Sequence, residues 1–283
     1  MDKVIGIGSA GCAIAEEFTE HPEYRVYKIA PGLDSRADLS IPECKNMQEY
    51  EERLDKSAVA TYLRGIDSDS EVLVILQGGD PVAGIILSVL EEVKTSAISL
   101  LYIIPETGLL AMEQERDHKI TLGVLQQYAR SGLFTMMYLV DRPRVEEILG
   151  DIPIDRYEKS VNNFISYMAV MINYFNHTDP IISTKIDPAA ISRIATFSIG
   201  SLEPDAAPQY LSSLPSKQEE HFYYGIPEAQ ISEDTTLMRK IKEQVRNLSA
   251  DEFSTTFSVY STTFDSPMII SLSYSKDVRT PQP

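Results

Sequence analysis

Largely apolar segments alternate with helix-like segments in the first half of the chain. Two of them read EVLVILQ (residues 71–77) and AISLLYII (residues 97–104). A strand that is apolar at successive positions is buried on both faces, and the helices between such strands cover those faces. The pattern therefore predicts an α/β fold, with a Rossmann-like parallel sheet in the first half of the chain.

Residues 156–175 predict a long helix that is apolar on nearly every side. Such a helix is buried, which makes it a candidate strut between two domains. Beyond about residue 180, apolar and polar residues alternate as in half-buried strands, around one polar-faced helix. We predict a nucleotide-binding-type domain at 1–180, including this helix, and a smaller α+β domain at 181–283, with a frayed tail from residue 276.

Finer predictions concern single elements. Residues 11–18, 49–64 and 82–94 have the spacing of one helix each, and residues 201–220 are rich in Pro, Ser and Glu and predict a loop. Phe222, Tyr223 and Tyr224 are predicted as core residues of the second domain, with a binding patch as the alternative.

Composition limits the classes of function. The 283 residues are 43% hydrophobic and carry a net charge of −17, which disfavours binding to nucleic acid or to acidic membranes. Two cysteines, without a metal-spaced Cys/His cluster, predict a reducing compartment and no metal site. No apolar run reaches the roughly 20 residues that span a bilayer. Because no signal peptide is evident at the N-terminus, we expect a cytoplasmic protein that does not insert into membranes.

Two glycine-rich turns each follow an apolar strand and precede a helix. They are GIGSAG (residues 6–11) and GGDPVAG (residues 78–84). Glycine lets the backbone approach a phosphate, and the N–H groups at a helix start bind its charge. The pair predicts a cradle that grips a phosphate tail from two sides, the alternative being tight turns without a ligand. Neither loop contains the P-loop lysine, which excludes simple P-loop NTPases.

A dinucleotide site would also need an acid at the end of the second strand. That strand ends in Ala30-Pro31-Gly32, and the nearest acid, Asp34, lies past the turn. A Rossmann-type dinucleotide or S-adenosylmethionine enzyme therefore stays as an alternative whose ribose-binding acid is out of place.

Residues 3–18 (KVIGIGSAGCAIAEEF) resemble the first strand, glycine loop and helix of the tubulin and bacterial cell-division tubulin homologue (FtsZ-like) superfamily. Residues 71–94 resemble the segment around its signature G-G-G-T-G-[ST]-G, and residues 97–140, 156–176 and 181–200 follow in the family's order. The resemblance implies a GTPase-type first domain that binds guanine nucleotide (GTP or GDP). It implies these binding residues: Gly6, Gly8, Ser9, Ala10, Gly11, Cys12, Gly78, Gly79, Gly84 and Asn163.

The signature loop departs from the family's pattern at four positions. Asp80, Pro81, Val82 and Ala83 stand where glycine, threonine, glycine and serine or threonine are expected. Pro81 removes a backbone donor, and Asp80 adds negative charge near the phosphates. At about 4 Å this repulsion is about 4 kcal/mol at an effective dielectric constant near 20. The loop therefore predicts weak binding of a nucleotide or none.

The loop after the central helix completes the neighbouring subunit's site in this family, with the pattern N-x-D-x-x-[DE]. Here Lys185 replaces the asparagine, Asp187 keeps the first acid and Ala190 replaces the second. Alanine neither orients water nor accepts its proton. Asp187 is thus the single catalytic candidate, and we expect little or no GTP hydrolysis.

These observations predict a divergent tubulin-like structural or assembly protein with a degenerate nucleotide site, which associates with itself or with a protein partner and not with nucleic acid. An active GTP-dependent filament-forming GTPase that uses unusual loop residues is the first alternative. The Rossmann-type enzyme is the second alternative.

Overall fold

The computed structural model describes residues 1–32, 34, 36–184, 190–203, 206–249 and 253–279. Its strands are β1 (Lys3–Ile7), β2 (Arg25–Pro31), β3 (Leu39–Ile41), β4 (Glu71–Gln77), β5 (Ala97–Ile104), β6 (Met136–Asp141), β7 (Ile182–Ser183), β8 (Ile194–Gly200), β9 (Gln209–Tyr210), β10 (Glu219–Pro227), β11 (Ser254–Thr262) and β12 (Met268–Ser275). Its α-helices are α1 (Gly8–Glu17), α2 (Met47–Arg53), α3 (Lys56–Leu63), α4 (Ile86–Glu92), α5 (Met112–Ser131), α6 (Arg142–Leu149), α7 (Tyr157–Asn176), α8 (Glu228–Glu233) and α9 (Leu237–Leu248).

The strands form one continuous sheet in the order β3-β2-β1-β4-β5-β6-β8-β12-β10-β11-β7, with β9 paired to β8. The first six strands of this order are parallel to one another, which confirms the predicted parallel α/β sheet. β8, β12 and β10 pair in antiparallel fashion. β6 and β8 join the two regions through two parallel residue pairs. The sheet therefore runs on past residue 180, and the division into 1–180 and 181–283 stays a prediction.

Helices cover both faces of the parallel region. Val72, Val74 and Leu76 of β4 face a core that includes residues of α2–α5, whereas Leu73 and Ile75 face a core that includes α1, α6 and α7. A third cluster lies between α9 and strands β10–β12, and it contains Phe222 and Tyr224. β5 is buried at every residue after its first, as the apolar runs predict.

The predicted central helix is α7, which contacts both halves of the molecule. Near its end, the Asn173 amide donates to the Tyr24 hydroxyl at 2.7 Å. Phe175 packs on Tyr260 of β11, with ring centroids 4.7 Å apart. The helix is largely buried, as predicted, although Tyr167 is 43% exposed.

Several predicted boundaries are wrong. The helix predicted at 49–64 is two helices, α2 and α3, because the Asp55 carboxylate accepts the N–H groups of Ser57 and Ala58 and starts a new helix. The first helix begins at Gly8 and not at residue 11. The loop predicted at 201–220 includes β9 and the first two residues of β10.

The tail predicted to fray is held at residue 279. Arg279 donates from Nη1 to Asp141 Oδ1 at 2.6 Å and to Ser212 Oγ at 2.6 Å. Its main-chain N–H and carbonyl pair with the fully buried Gln126 side chain at 2.5 and 3.0 Å. Hydrogen bonds of Arg279 therefore connect it to α5 and to β6 in the first half of the chain. Residues 280–283 lie outside the described residues.

Candidate functional site

The two glycine loops lie side by side at the carboxyl ends of β1 and β4, which are neighbouring parallel strands. Gly8 has a φ of +74°, a backbone conformation that favours glycine. A β-carbon at Gly8 would lie 2.7 Å from Val82 Cγ1 and 2.9 Å from Asp80 Oδ2. The first loop thus contacts the second directly, with the Asp80 and Val82 side chains against it.

Gly6 and Gly11 allow close packing at the start of α1. A β-carbon at Gly6 would lie 2.5 Å from the Gly11 carbonyl oxygen, and one at Gly11 would lie 2.6 Å from the Ile75 carbonyl oxygen. At both positions the glycine therefore packs directly against another part of the backbone, which leaves no room for a side chain. These two glycines have a structural role that is independent of any ligand.

Ser9 is exposed and Ala10 half-buried in the first turn of α1. The Ser9 hydroxyl donates to Asp34 Oδ2 at 2.7 Å, so Asp34 folds back onto the first loop. Burial raises the pKa of Asp34, but the hydrogen bonds from Ser9 and Arg36 outweigh it and lower the pKa. An acid is therefore present beside this loop, although its place past the turn in sequence predicted otherwise.

Cys12 is fully buried beneath the first loop. Its sulfur lies 3.5 Å from the Gly6 carbonyl oxygen and 3.6 Å from that of Ile29. Burial raises the pKa of this thiol to about 12, so it stays protonated and unreactive at neutral pH. The Cys12 side chain points into the packing of α1 on the sheet.

Three N–H groups of the second loop are bound within the protein. The Gly78 N–H continues the sheet ladder to the Ile103 carbonyl at 2.9 Å. The Val82 N–H donates to Asp80 Oδ1 at 3.0 Å, and the Ala83 N–H donates to the Asp80 carbonyl at 3.0 Å. Pro81 has no N–H. The loop continues as a 3₁₀ helix (Pro81–Ile85) before α4, so the single helix predicted at 82–94 is wrong at its start.

Each glycine of the second loop lies against a neighbouring side chain or backbone group. A β-carbon at Gly78 would lie 2.3 Å from both the Tyr102 hydroxyl and His118 Nδ1. Gly79 has a φ of +78°. A β-carbon at Gly84 would lie 2.1 Å from the Met47 carbonyl oxygen, so Gly84 packs against the start of α2 and not against the first loop.

Asn163 is exposed on α7. With its amide nitrogen turned toward α1, it donates to the Glu17 carboxylate and, at 3.3 Å, to the Lys159 carbonyl. Its neighbour Asn162 is buried, and its Oδ1 has no partner among the described residues. Gln77, the last residue of β4, likewise has a buried Oε1 without a partner in the described part of the chain.

Side chains alternate along a strand, so Gln77 follows Leu73 and Ile75 onto the sheet face that carries α1 and α7. Asn162 is buried on α7 itself. Both residues therefore offer a carbonyl acceptor on that face. The sequence signal for Gln77 is a polar residue directly after the apolar run Val72–Leu76.

The loop after α7 is only partly described. Residues 185–189, which include Asp187, lie outside the described residues. Ala190 is exposed in the turn that precedes β8. Ile181, Ile182 and Ile191 are exposed on either side of this loop.

A parallel sheet with glycine loops at its carboxyl edge, a helix that contacts both halves of the chain and a mixed sheet after it define the tubulin/FtsZ-type fold. FtsZ of M. jannaschii, in an empty dimer, has this fold with a TM-score of 0.69 at 14% identity, over 99% of this chain and 92% of that one. TubZ of Bacillus thuringiensis serovar israelensis, in a GTPγS-form protofilament, gives 0.71 at 12% identity, over 98% and 86%.

A TubZ of type III plasmid segregation gives a TM-score of 0.66 at 13% identity, over 99% of this chain and 89% of that one. No protein-family model matches the sequence, and no curated protein is similar to it in sequence. The likeness thus lies in the fold, and it confirms the predicted tubulin/FtsZ-like fold.

A membrane-spanning helix would need a longer or more apolar segment than any helix in the described part of the chain. The His, Cys, Asp and Glu side chains of that part form no group of three or more that could hold a metal ion.

Proposed function

We propose that this protein is a tubulin/FtsZ-like structural or assembly protein whose nucleotide site binds guanine nucleotide weakly or not at all. The proposal rests on the Asp80 carboxylate between the two glycine loops. One oxygen accepts the Val82 N–H and the other lies against Gly8. We expect this carboxylate to disfavour a phosphate group bound between the two loops.

The N–H groups of the second loop support the same proposal. Those of Gly78, Val82 and Ala83 bind within the protein, and Pro81 has none. Each hydrogen bond lost to a ligand costs about 1 kcal/mol, and a micromolar complex amounts to only about 8 kcal/mol. The chain also carries a net charge of −17. This charge, the Asp80 carboxylate and the shortage of free N–H donors in the loop all disfavour the binding of a triphosphate.

Calorimetric titration with GTP tests the proposal. We expect weak or undetectable binding to the wild-type protein and tighter binding to the variant Asp80→Gly with Pro81→Thr. Asp69→Gly, at the amino end of β4, controls for the loss of one negative charge. A sub-micromolar dissociation constant for the wild type would contradict the proposal and favour the active GTPase.

Self-association is the second part of the proposal. FtsZ and TubZ have folds similar to this one, and TubZ forms protofilaments. Exposed Ile181, Ile182 and Ile191 flank the loop that carries Asp187, which offers an apolar surface to a second copy. Because Ala190 supplies no second carboxylate, the proposed assembly does not depend on nucleotide turnover.

A phosphate-release assay at high protein concentration measures GTP hydrolysis, and sedimentation velocity with and without GTP measures self-association. We expect background hydrolysis, since the loss of a positioned base costs on the order of 10²- to 10⁴-fold in rate, and sedimentation that GTP does not change. Turnover that rises with protein concentration and vanishes in Asp187→Ala would show instead that one acid suffices.

A further inference from the structure

The described surface carries a groove between α2, α4 and α5, bordered on one side by Ala83 and Gly84 at the end of the second glycine loop. Its volume is about 440 Å³, and its walls include Met47, Leu87, Ile120 and Val124. Leu87, Ile120 and Val124 are 41%, 52% and 39% exposed. Three branched apolar side chains therefore face water side by side. Apolar side chains gathered in this way mark binding surfaces, whereas single exposed ones do not.

Ile120 and Val124 lie one turn apart on the same side of α5. On the same row toward the start of the helix, Arg116 separates them from Met112, which is 87% exposed. At 1.5 Å per residue, the row from Met112 to Val124 is about 18 Å long. It is thus as long as about three turns of a second helix laid along it.

The rim of the groove is acidic. It contains Glu51, Glu113 and Asp117, with Arg116 as its one basic residue among the described lining residues. Asp117 is only 6% exposed, and Arg116 reaches its Oδ1 from Nε and Nη2 at 3.4 and 3.2 Å. A carboxylate accepts about four hydrogen bonds, so Asp117 has capacity for a further donor. One cation between three acids leaves the rim negative and complementary to a basic partner.

We propose that this groove binds one amphipathic helix of a partner protein. Its apolar residues, spaced i, i+3 or i+4, and i+7, lie in the groove, and its lysine or arginine side chains meet Glu51 and Asp117. A small apolar ligand bound here would remain largely exposed to water, because the three apolar side chains that face water in the groove are themselves about half exposed. Among the described helices, the basic α9 buries its own apolar residues Ile241 and Val245, so a second copy does not offer such a helix through α9.

The test uses the full chain as bait for a library of peptides displayed on a helical scaffold, with counter-selection against the variant Ile120→Lys. Fluorescence anisotropy then measures the affinity of the best enriched peptide. We expect enriched peptides with apolar residues at helical spacing and with lysine or arginine on the flanks. Ile120→Lys should weaken binding at least tenfold, whereas Ile154→Lys, at a 95% exposed position outside the groove, should leave it unchanged.

Charge reversal supplies a second readout. Glu51→Lys should weaken binding by less than Ile120→Lys, and its effect should shrink as salt rises, because salt screens exposed charges. Circular dichroism checks that Ile120→Lys folds, and Val124→Lys repeats the test at a second position. Equal affinity in Ile120→Lys, enrichment of acidic or non-periodic peptides, or self-association that Ile120→Lys abolishes would each overturn the proposal.

Discussion

His118 lies buried beneath the second glycine loop, with its Nδ1 3.0 Å from the Tyr102 hydroxyl. Burial, together with the charges of Arg279 and Lys119, lowers the pKa of His118 to about 4. Because the unfolded chain keeps a histidine pKa near about 6.5, it binds more protons than the folded protein between these values. The contribution of His118 to stability is therefore complete above about pH 6.5 and is lost as the pH falls toward 4.

We predict that the free energy of unfolding decreases in this window by at most about 1.4 kcal/mol per pH unit through His118. Urea unfolding at several pH values between 7 and 4 measures the slope. His118→Gln should flatten this slope, and His21→Gln, at a half-buried histidine, should not. An unchanged slope in His118→Gln would assign the pH dependence to other groups.

At the scale of elements, the second glycine loop leads into a 3₁₀ helix that packs on α2. Gly84 lies where a β-carbon would come within 2.1 Å of the Met47 carbonyl oxygen. A backbone atom cannot swing aside as a flexible side chain can. The close approach of these two elements therefore depends on glycine at this position.

We predict that Gly84→Ala lowers the free energy of unfolding by about 1–3 kcal/mol, the usual cost of overpacking. Gly123→Ala is the matched control, because Gly123 lies inside α5 with nothing within 4 Å of its β-carbon position. It should stabilise the protein by about 0.5–1 kcal/mol. Thermal or urea unfolding compares the two, and a neutral Gly84→Ala would show that α2 moves away without cost.

At the scale of the whole molecule, Arg279 ties the last described residues to the first half of the chain. It bonds Asp141 at the end of β6, close to the seam at which β6 pairs with β8. Asp141 is 9% exposed, so removing its partner leaves a buried carboxylate. Arg279 thus contributes to holding the two halves of the sheet together.

We predict that Arg279→Ala lowers the free energy of unfolding by about 1–3 kcal/mol, the range for a hydrogen bond to a charged group and for a buried group left without its partner. Hydrogen exchange should rise in β6 and β8. The double variant Arg279→Ala with Asp141→Ala should recover part of the loss, because the carboxylate is gone as well. A double variant as unstable as the sum of its single variants would show that the two side chains act independently.

The sequence by itself determined the parallel sheet, the central helix and the positions of both glycine turns. The physical reason is local: fully apolar strands, helical periodicity and glycine each report directly on burial or backbone conformation. Helix boundaries were less certain, as at Asp55, where a side-chain cap divides one apparent helix into two. The sequence pattern does not predict β10, whose first two residues, Glu219 and Glu220, fall within the predicted loop.

Only the tertiary structure decided what surrounds those residues. The Asp34 carboxylate accepts a hydrogen bond from Ser9, and the Asp80 side chain lies against Gly8. Gly84 packs against the Met47 carbonyl group, and Arg279 donates a hydrogen bond to Asp141. Each contact joins residues that are far apart in sequence, and no local pattern encodes the distance between them. The roles predicted for the glycines, Asn163 and Asp187 in binding and hydrolysis stay predictions. A glycine required for packing and one required for a phosphate look the same in a sequence, because both simply need the absence of a side chain.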